Sequence, residues 1–279
     1  MKHIRVALLL VLACALCLGV FGCKKEEPQT ITLVVGASPA PHAQILEVVK
    51  PMLEAKGITL EIREFTDYVQ PNTALQSGDL QANFFQHTPY MEDFNAQNNG
   101  TLVAAVAVHF EPLAIYAGRS QDITNPQDAV IAVPNDATNE ARALLLLQAN
   151  GLITLAEGVG LKATPKDIVE NPFNISFYEA EAAAIPRSLE DVDFAVCNGN
   201  YAIEAGIEDK MIAKGEDFYR ESADSEAASL YANVLAVREE EVKDPAIVEL
   251  VRALTSQEVY DFITSHYGSS VIPVFIPGK

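Results

Sequence analysis

The chain has 279 residues, of which 49% are hydrophobic, with 38 acidic and 19 basic side chains and a formal charge of −19. That is enough apolar material for one large domain or two ordinary ones, and it excludes wholesale disorder. The acidic balance argues against nucleic acid and against an electrostatic grip on anionic lipid, and it means that local cations must hold any anionic ligand.

Residues 1–22 read as a signal peptide. Lys2 and Arg5 give a positive start, and Val6 to Phe21 is nearly all apolar, too short a run for a membrane span. At the apolar-to-polar break, Val20-Phe21-Gly22-Cys23-Lys24 resembles the lipobox of bacterial lipoproteins. The resemblance implies acylation of Cys23, which then becomes the mature N-terminus. Val-Leu-Ala before Cys14 is a rival match that would leave an apolar tail, and an ordinary secretory cut is the other alternative. Lipid chains would hold the protein on a membrane without spanning it. Processing removes Lys2 and Arg5 and no acid, so the charge goes from −19 to −21. With Cys23 lipidated, no intrachain disulfide forms, and Cys197 is read as a small buried residue.

Residues 23–30 form a polar tether. Ile31 to Val35 is a continuous apolar run ending at Gly36, as in a buried parallel strand. Pro39 and Pro41 open a helix whose apolar positions run from Ile45 to Leu53 before Gly57. Ile58, Leu60 and Ile62 alternate with polar residues, completing a βαβ unit. Tyr68 to Leu80 reads as a short helix opened at Pro71 and stopped near Gly78. After the aromatic stretch 82–90, strands are expected at Leu102 to His109 and Pro112 to Tyr116, with Glu111-Pro112 breaking the run. Further strands fall at Ala129 to Val133, Asn174 to Tyr178, Asp193 to Cys197 and Ser229 to Val237. Helices fall at Thr138 to Asn150, Glu179 to Leu189 (interrupted by Pro186) and Val248 to Phe262, the last as one or two. The pattern predicts two α/β halves crossed twice by the chain: residues 31–111 plus 235–279, and residues 112–234.

The stretch Ala82-Asn-Phe-Phe-Gln-His-Thr-Pro-Tyr90 crowds four rings into seven positions. Phe84 and Phe85 suit a core strand equally well. His87 and Tyr90 sit where a loop opens a helix, a common place for sites, and with one Phe they could wall a pocket for an apolar or sulfur-bearing side chain. Asn139 and Arg142, three apart, share one face of a helix whose first turn favours a carboxylate, which Arg142 could fork. A solvated or salt-bridged helical arginine is the plain alternative. Asn198 suits an Asn-Gly turn. Asn200, following a strand end, fits a crevice better. Asn233, inside an apolar strand, needs an edge or a polar partner.

Enzyme signals fail. Gly36-Ala37-Ser38-Pro39-Ala40 approaches a nucleophile elbow, but the second glycine is missing and Pro39 removes the N–H an oxyanion hole requires. Residues 158–163 imitate a dinucleotide fingerprint but follow no clear strand. The histidines show no metal-ligand spacing. No catalysis, cofactor or metal is expected.

Seven blocks in order resemble the methionine-binding lipoproteins of bacterial ABC importers, the NlpA/MetQ family. They are GASPAPHAQILE at 36–47, DYVQPNTAL at 67–75, ANFFQHTPYM at 82–91, VPNDATNEARALLLLQ at 133–148, FYEAEAAAIPRSL at 177–189, NGNYA at 198–202 and YANVLAVR at 231–238. The resemblance implies a two-lobed α/β fold of the periplasmic-binding-protein type II class. It also implies a membrane-anchored monomer that binds methionine or a close derivative and passes it to an ABC permease and its ATPase. It places Tyr68, Phe85, His87 and Tyr90 around the methionine side chain and Arg142 on the α-carboxylate, with Asn139 on the same helix face. Asn200 and Asn233 would hold the amino and carboxylate groups. A surface adhesin with a vestigial pocket is the alternative.

Overall fold

The computed structural model describes residues 31–215 and 217–278. The expectations of a signal peptide, a Cys23 anchor and a tether lie outside the described residues. Fourteen strands are seen: β1 (Ile31–Ala37), β2 (Ile58–Glu64), β3 (Ala82–His87), β4 (Leu102–Phe110), β5 (Ala114–Ala117), β6 (Val130–Pro134), β7 (Thr154–Leu155), β8 (Ile168–Glu170), β9 (Ser176–Ala180), β10 (Phe194–Cys197), β11 (Ala213–Lys214), β12 (Asp217–Phe218), β13 (Asn233–Arg238) and β14 (Ile272–Pro273). Ten of them build two main sheets, ordered β14-β4-β13-β3-β1-β2 and β5-β10-β6-β9. In the first, β1 runs parallel to β2 and β3, and β13 lies antiparallel between β3 and β4. In the second, β6 is parallel to β9 and β10, and β5 is antiparallel to β10.

Each sheet is covered on both faces, which is why strands such as β6 and β10 are apolar runs rather than alternating ones. On one face of the six-stranded sheet, the helix Gln44–Glu54 buries Ile45, Leu46, Val49 and Leu53 at helical spacing. These join Ile247, Leu250 and Leu254 of the helix Pro245–Leu254, and Phe84, in one core. The opposite face holds Leu75, Leu80, Met91 and Leu102. The helix Gln70–Ser77 stops at Gly78, whose φ of 89° lets the chain leave in the left-handed region. The four-stranded sheet packs Leu144 and Leu147 of the helix Ala137–Ala149 on one side. Ile185, Leu189, Tyr201 and Cys197 pack on the other.

The chain leaves β4 through Glu111-Pro112-Leu113 to enter the second sheet, and β13 brings it back at Asn233. Two local expectations need correction. Ser229 and Leu230 end a short helix, Glu226–Leu230, and the strand begins only at Asn233, because an apolar run by itself does not separate helix from strand. Glu179 and Ala180 finish β9, paired with Val133 and Pro134, and only Ile185–Ser188 forms an α-helical turn beyond it. Sheet pairing there overrides the helix propensity of the alanines. The C-terminal helical region is two helices, Pro245–Leu254 and Gln257–Tyr267, each opened by a side chain, Asp244 or Ser256, that accepts backbone N–H groups.

A buried amide network fixes the helix Gln70–Ser77 against β3. Asn72 Nδ2 donates to Gln86 Oε1 at 2.7 Å, while Gln86 Nε2 and Asn83 Nδ2 donate to Asn72 Oδ1 at 2.6 and 2.8 Å. Replacing Asn72 by Leu strips two buried amides of partners and should destabilise the fold by about 2–4 kcal/mol. Chemical denaturation would measure this, and a loss below about 0.5 kcal/mol would mean the network is solvated or dispensable.

Candidate functional site

β3 is buried along its whole length, and its pairing with β13 is irregular. Val234 faces Gln86 and Leu235 faces Phe84, so Phe85 is the extra residue of a bulge. Bulges re-aim side chains beside sites. Successive strand residues face opposite sides, so Phe84 stays in the core, edge-on to His42 at 4.7 Å between centroids, whereas Phe85 joins Tyr68 and Tyr90 at 5.7 and 6.0 Å. Tyr68 and Tyr90 are themselves 5.7 Å apart. Three rings thus form an apolar wall, and Tyr201 extends it from the second sheet, 4.9 Å from Tyr68.

This wall is one end of a narrow cavity with about 330 Å³ of non-atom space, open mouth included. Tyr68, Phe85, His87, Tyr90, Asn139, Arg142, Asn200 and Asn233 all border it. Gln86, Glu111, Asn198 and Gly199 border it too. Of these, Glu111 entered the sequence reading only as a strand breaker and Asn198 only as a turn residue. A carboxylate between apolar β4 and Pro112 was a signal for Glu111 that spacing could not turn into a place. Gly199 is glycine for a steric reason: a Cβ there would lie 2.9 Å from the Cβ of Glu111.

The polar end is built from fixed partners. Asp136 caps the helix Ala137–Ala149, accepting the Asn139 N–H at 3.0 Å and the Asn139 Nδ2 at 2.9 Å. That orients the Asn139 amide, whose Oδ1 accepts from Asn198 Nδ2 at 2.8 Å and faces His87 Nε2 at 3.2 Å. His87 caps the next helix, its Nδ1 accepting the Tyr90 N–H at 3.2 Å. With an acceptor opposite Nε2 and a donor opposite Nδ1, the ring is the neutral Nε2–H tautomer. Burial, assisted by the charge of Arg142, lowers its pKa to about 3.

Arg142 is buried, and its guanidinium lies over the Tyr231 ring at 4.2 Å. Its Nε and Nη2 donate to the two carboxylate oxygens of Glu221 at 2.8 and 2.6 Å, and Nη2 also donates to the backbone oxygen of Glu111 at 2.9 Å. Of the readings the sequence offered, the salt-bridged one holds for one side of the fork, which Glu221 occupies, since a guanidinium this buried requires a carboxylate partner. Nη1 has no acceptor among the described residues. Burial pulls the arginine pKa down, but Glu221 more than offsets this, so the charge is held. Asn198 Oδ1 and Asn200 Nδ2, an acceptor and a donor, are buried without partners.

Behind this end the tertiary structure gathers His42, His109 and Glu111, which no local spacing revealed. His109 Nε2 lies 2.7 Å from Glu111 Oε1, a hydrogen bond. His42 Nε2 lies 3.0 Å from Asn233 Oδ1 and 3.4 Å from the same Glu111 oxygen. Burial lowers His42 to about 4, with Glu111 opposing, and lowers His109 to about 3. Burial also raises Glu111, against the pull of His42, the Asn200 N–H and Arg142.

Two sheets joined by crossing segments, with a cavity that is aromatic at one end and polar at the other, define a two-lobed binding protein of the periplasmic type. Within that class, the sequence profile of the NlpA lipoprotein family matches residues 33–275, and the chain belongs to this family. It is 41% identical over 263 residues to the membrane lipoprotein TpN32 of Treponema pallidum, covering 93% of this chain and 94% of that one. It is 38% identical over 248 residues to the D-methionine-binding lipoprotein MetQ of Escherichia coli K12, covering 88% and 89%. A nutrient-binding protein of Burkholderia cenocepacia, solved bound to methionine, superposes with a TM-score of 0.79 at 40% identity, covering 87% of this chain and all of that one.

The buried histidines give a pH signature. His42, His87 and His109 have folded pKa values below the usual 6.5, so the unfolded chain takes up protons that the folded chain refuses. Their contribution to stability is complete above 6.5 and is lost as pH falls toward about 4 and then 3. Nitrogen-detected NMR should show all three rings neutral at a pH of about 5.5, where a free imidazole is mostly protonated. Imidazolium signals from any of the three at that pH would show that burial does not hold that ring neutral.

Proposed function

We propose that this chain is a lipid-anchored substrate-binding protein of an ABC importer, and that it takes methionine in the cavity between its two sheets. The observation that carries the reading is the pairing of an apolar ring wall with a head-group end that offers one cation, one orphan donor and one orphan acceptor. A thioether suits the rings, each sulfur–aromatic contact contributing about 0.3–1.5 kcal/mol. Burial of the side chain adds roughly 1.5–3 kcal/mol, and a charge-assisted bond from Arg142 Nη1 a similar amount. Less the cost of ordering the ligand, these support micromolar or tighter affinity. The methionine seen in the Burkholderia relative and the name of the Escherichia one support the same ligand class.

The anchor would be Cys23 and the partners a permease with its ATPase. No helix among the described residues is long and apolar enough to cross a membrane. We take 31–111 with 233–278 as one lobe and 112–232 as the other, hinged at Glu111-Pro112-Leu113 and just ahead of β13; the second boundary falls at 233 and not 235 because Asn233 and Val234 already pair with β3. Contacts already bridge the sheets: Tyr68 donates to Asn200 Oδ1 at 2.5 Å, and His87 meets Asn139. A ligand touching both would favour closure, the state a transporter can sense.

Calorimetry on delipidated protein, stripped of copurified ligand by unfolding, should give saturable heat with L- or D-methionine; none with either refutes the reading. In the same assay Arg142→Ala should weaken binding by more than about tenfold, because it removes the carboxylate's cation and orphans Glu221. A smaller change means another group holds the carboxylate. Cys23→Ala should move the protein from the membrane to the soluble fraction, and unchanged membrane association would refute the anchor.

A further inference from the structure

We propose that Tyr90 sets the length of side chain the cavity accepts, because it partitions that cavity from a second chamber able to hold the S-alkyl extension of a longer thioether amino acid. The inference rests on the methionine-binding reading and adds what bounds the ligand at its apolar end.

The two spaces lie back to back. The second chamber has about 830 Å³ of non-atom space, open mouth included. It shares only Tyr68 and Tyr90 with the ligand cavity, so these two rings are the wall between them. Beyond the wall it is lined by Val69, Ala182, Ala183 and Tyr201, and the short side chains of the first three leave it open. Its charged lining is acidic throughout, from Asp67, Asp136 and Glu181. An anionic extension would be repelled there, and an uncharged one would not.

The two rings are not equivalent as a partition. Tyr68 is committed across the cleft: its hydroxyl donates to Asn200 Oδ1 at 2.5 Å, and its ring packs on Tyr201 at 4.9 Å. The Tyr90 side chain makes its contacts within residues 31–111. Its hydroxyl donates to the Tyr68 backbone oxygen at 3.0 Å, and its ring meets those of Tyr68, Phe85 and His87 at 5.7, 6.0 and 6.4 Å. The helix cap at His87 uses the Tyr90 backbone N–H and not the side chain. Shortening Tyr90 therefore opens the wall while leaving the bridge between the sheets and the cap in place.

The hydroxyl bond also makes the wall rigid. With the far end of the ring tied to Tyr68, it cannot swing aside without losing a partly buried hydrogen bond. A thioether that ends in a methyl group stops at the wall. A longer one must displace the ring, and a fixed apolar pocket discriminates by about 10–200-fold for one methylene. Once the wall is opened, each added methylene gains burial in the chamber instead.

Calorimetry comparing L-methionine with S-butyl-L-homocysteine tests this, since the second keeps the head group and the thioether and lengthens only the S-alkyl group. The wild type should bind the butyl compound more than about tenfold more weakly than methionine. In Tyr90→Ala the ratio of butyl-compound to methionine affinity should rise by about tenfold or more. Tyr90→Val carries the same expectation and serves if the alanine variant does not fold. Ala183→Leu, added to either variant, fills the chamber from its far side and should reverse the gain. Tyr90→Phe, which keeps the ring, should keep the wild-type ratio. Wild-type binding of the butyl compound within about tenfold of methionine overturns the inference and leaves the functional reading standing. A rise of less than about tenfold in the shortened variants also overturns it. So does a gain that survives Ala183→Leu, because the added carbon then lies elsewhere, or a Tyr90→Phe shift as large as that of Tyr90→Ala. Failure of methionine itself to bind the wild type brings down the functional reading and this inference with it.

Discussion

The buried charge of Arg142 is the constraint to which the rest of the cleft answers. A guanidinium removed from water must be matched, and three elements distant in sequence converge to do so: Glu221 from the stretch before the helix Glu226–Leu230, the backbone oxygen of Glu111 from the crossing segment, and the Tyr231 ring from the approach to β13. Each partner lies at or near a point where the chain passes between the sheets. The ion pair therefore positions a ligand-facing cation and also ties the crossing segments to the helix Ala137–Ala149. Its side of the fork facing Glu221 is spent on the protein, which leaves Nη1 and the neighbouring amides for a ligand.

Around that charge the site is made of neutral groups with assigned directions. Asp136 orients Asn139, Asn139 orients Asn198 and His87, and the Tyr90 N–H sets the His87 tautomer. A relay anchored on a carboxylate leaves no freedom to flip its amides, so the orphan Asn198 Oδ1 has a definite sense as an acceptor. Such preorganisation lowers the ordering cost of binding. It also explains why so many asparagines occur in buried places, where an amide without partners would be destabilising.

The aromatic end depends on strand alternation. Successive residues face opposite sides, so Phe84 enters the core and Phe85 the ring wall. The same strand ends in His87, which closes β3 and caps the following helix, so one short stretch supplies core, wall and cap. The amide network of Asn72, Asn83 and Gln86 then holds the preceding helix, and with it Tyr68, at the distance the wall needs.

Much was legible in the chain itself. Apolar runs and their periods identified β1, β2, β3 and the helices Gln44–Glu54 and Ala137–Ala149, because burial of a face leaves its period in the sequence. The aromatic stretch, Arg142 and the asparagines after strand ends stood out because rings, cations and amides are costly to bury without cause. Where propensity and pairing disagreed, as at Glu179–Ala180 and Ser229–Leu230, only the assembled sheet decided. Glu111, Asn198 and Glu221 escaped the reading for a related reason: their meaning lies in partners from 31 to 108 residues away. Local pattern reports which face of an element is buried, whereas the pairing of buried charges is settled only when distant segments meet in three dimensions.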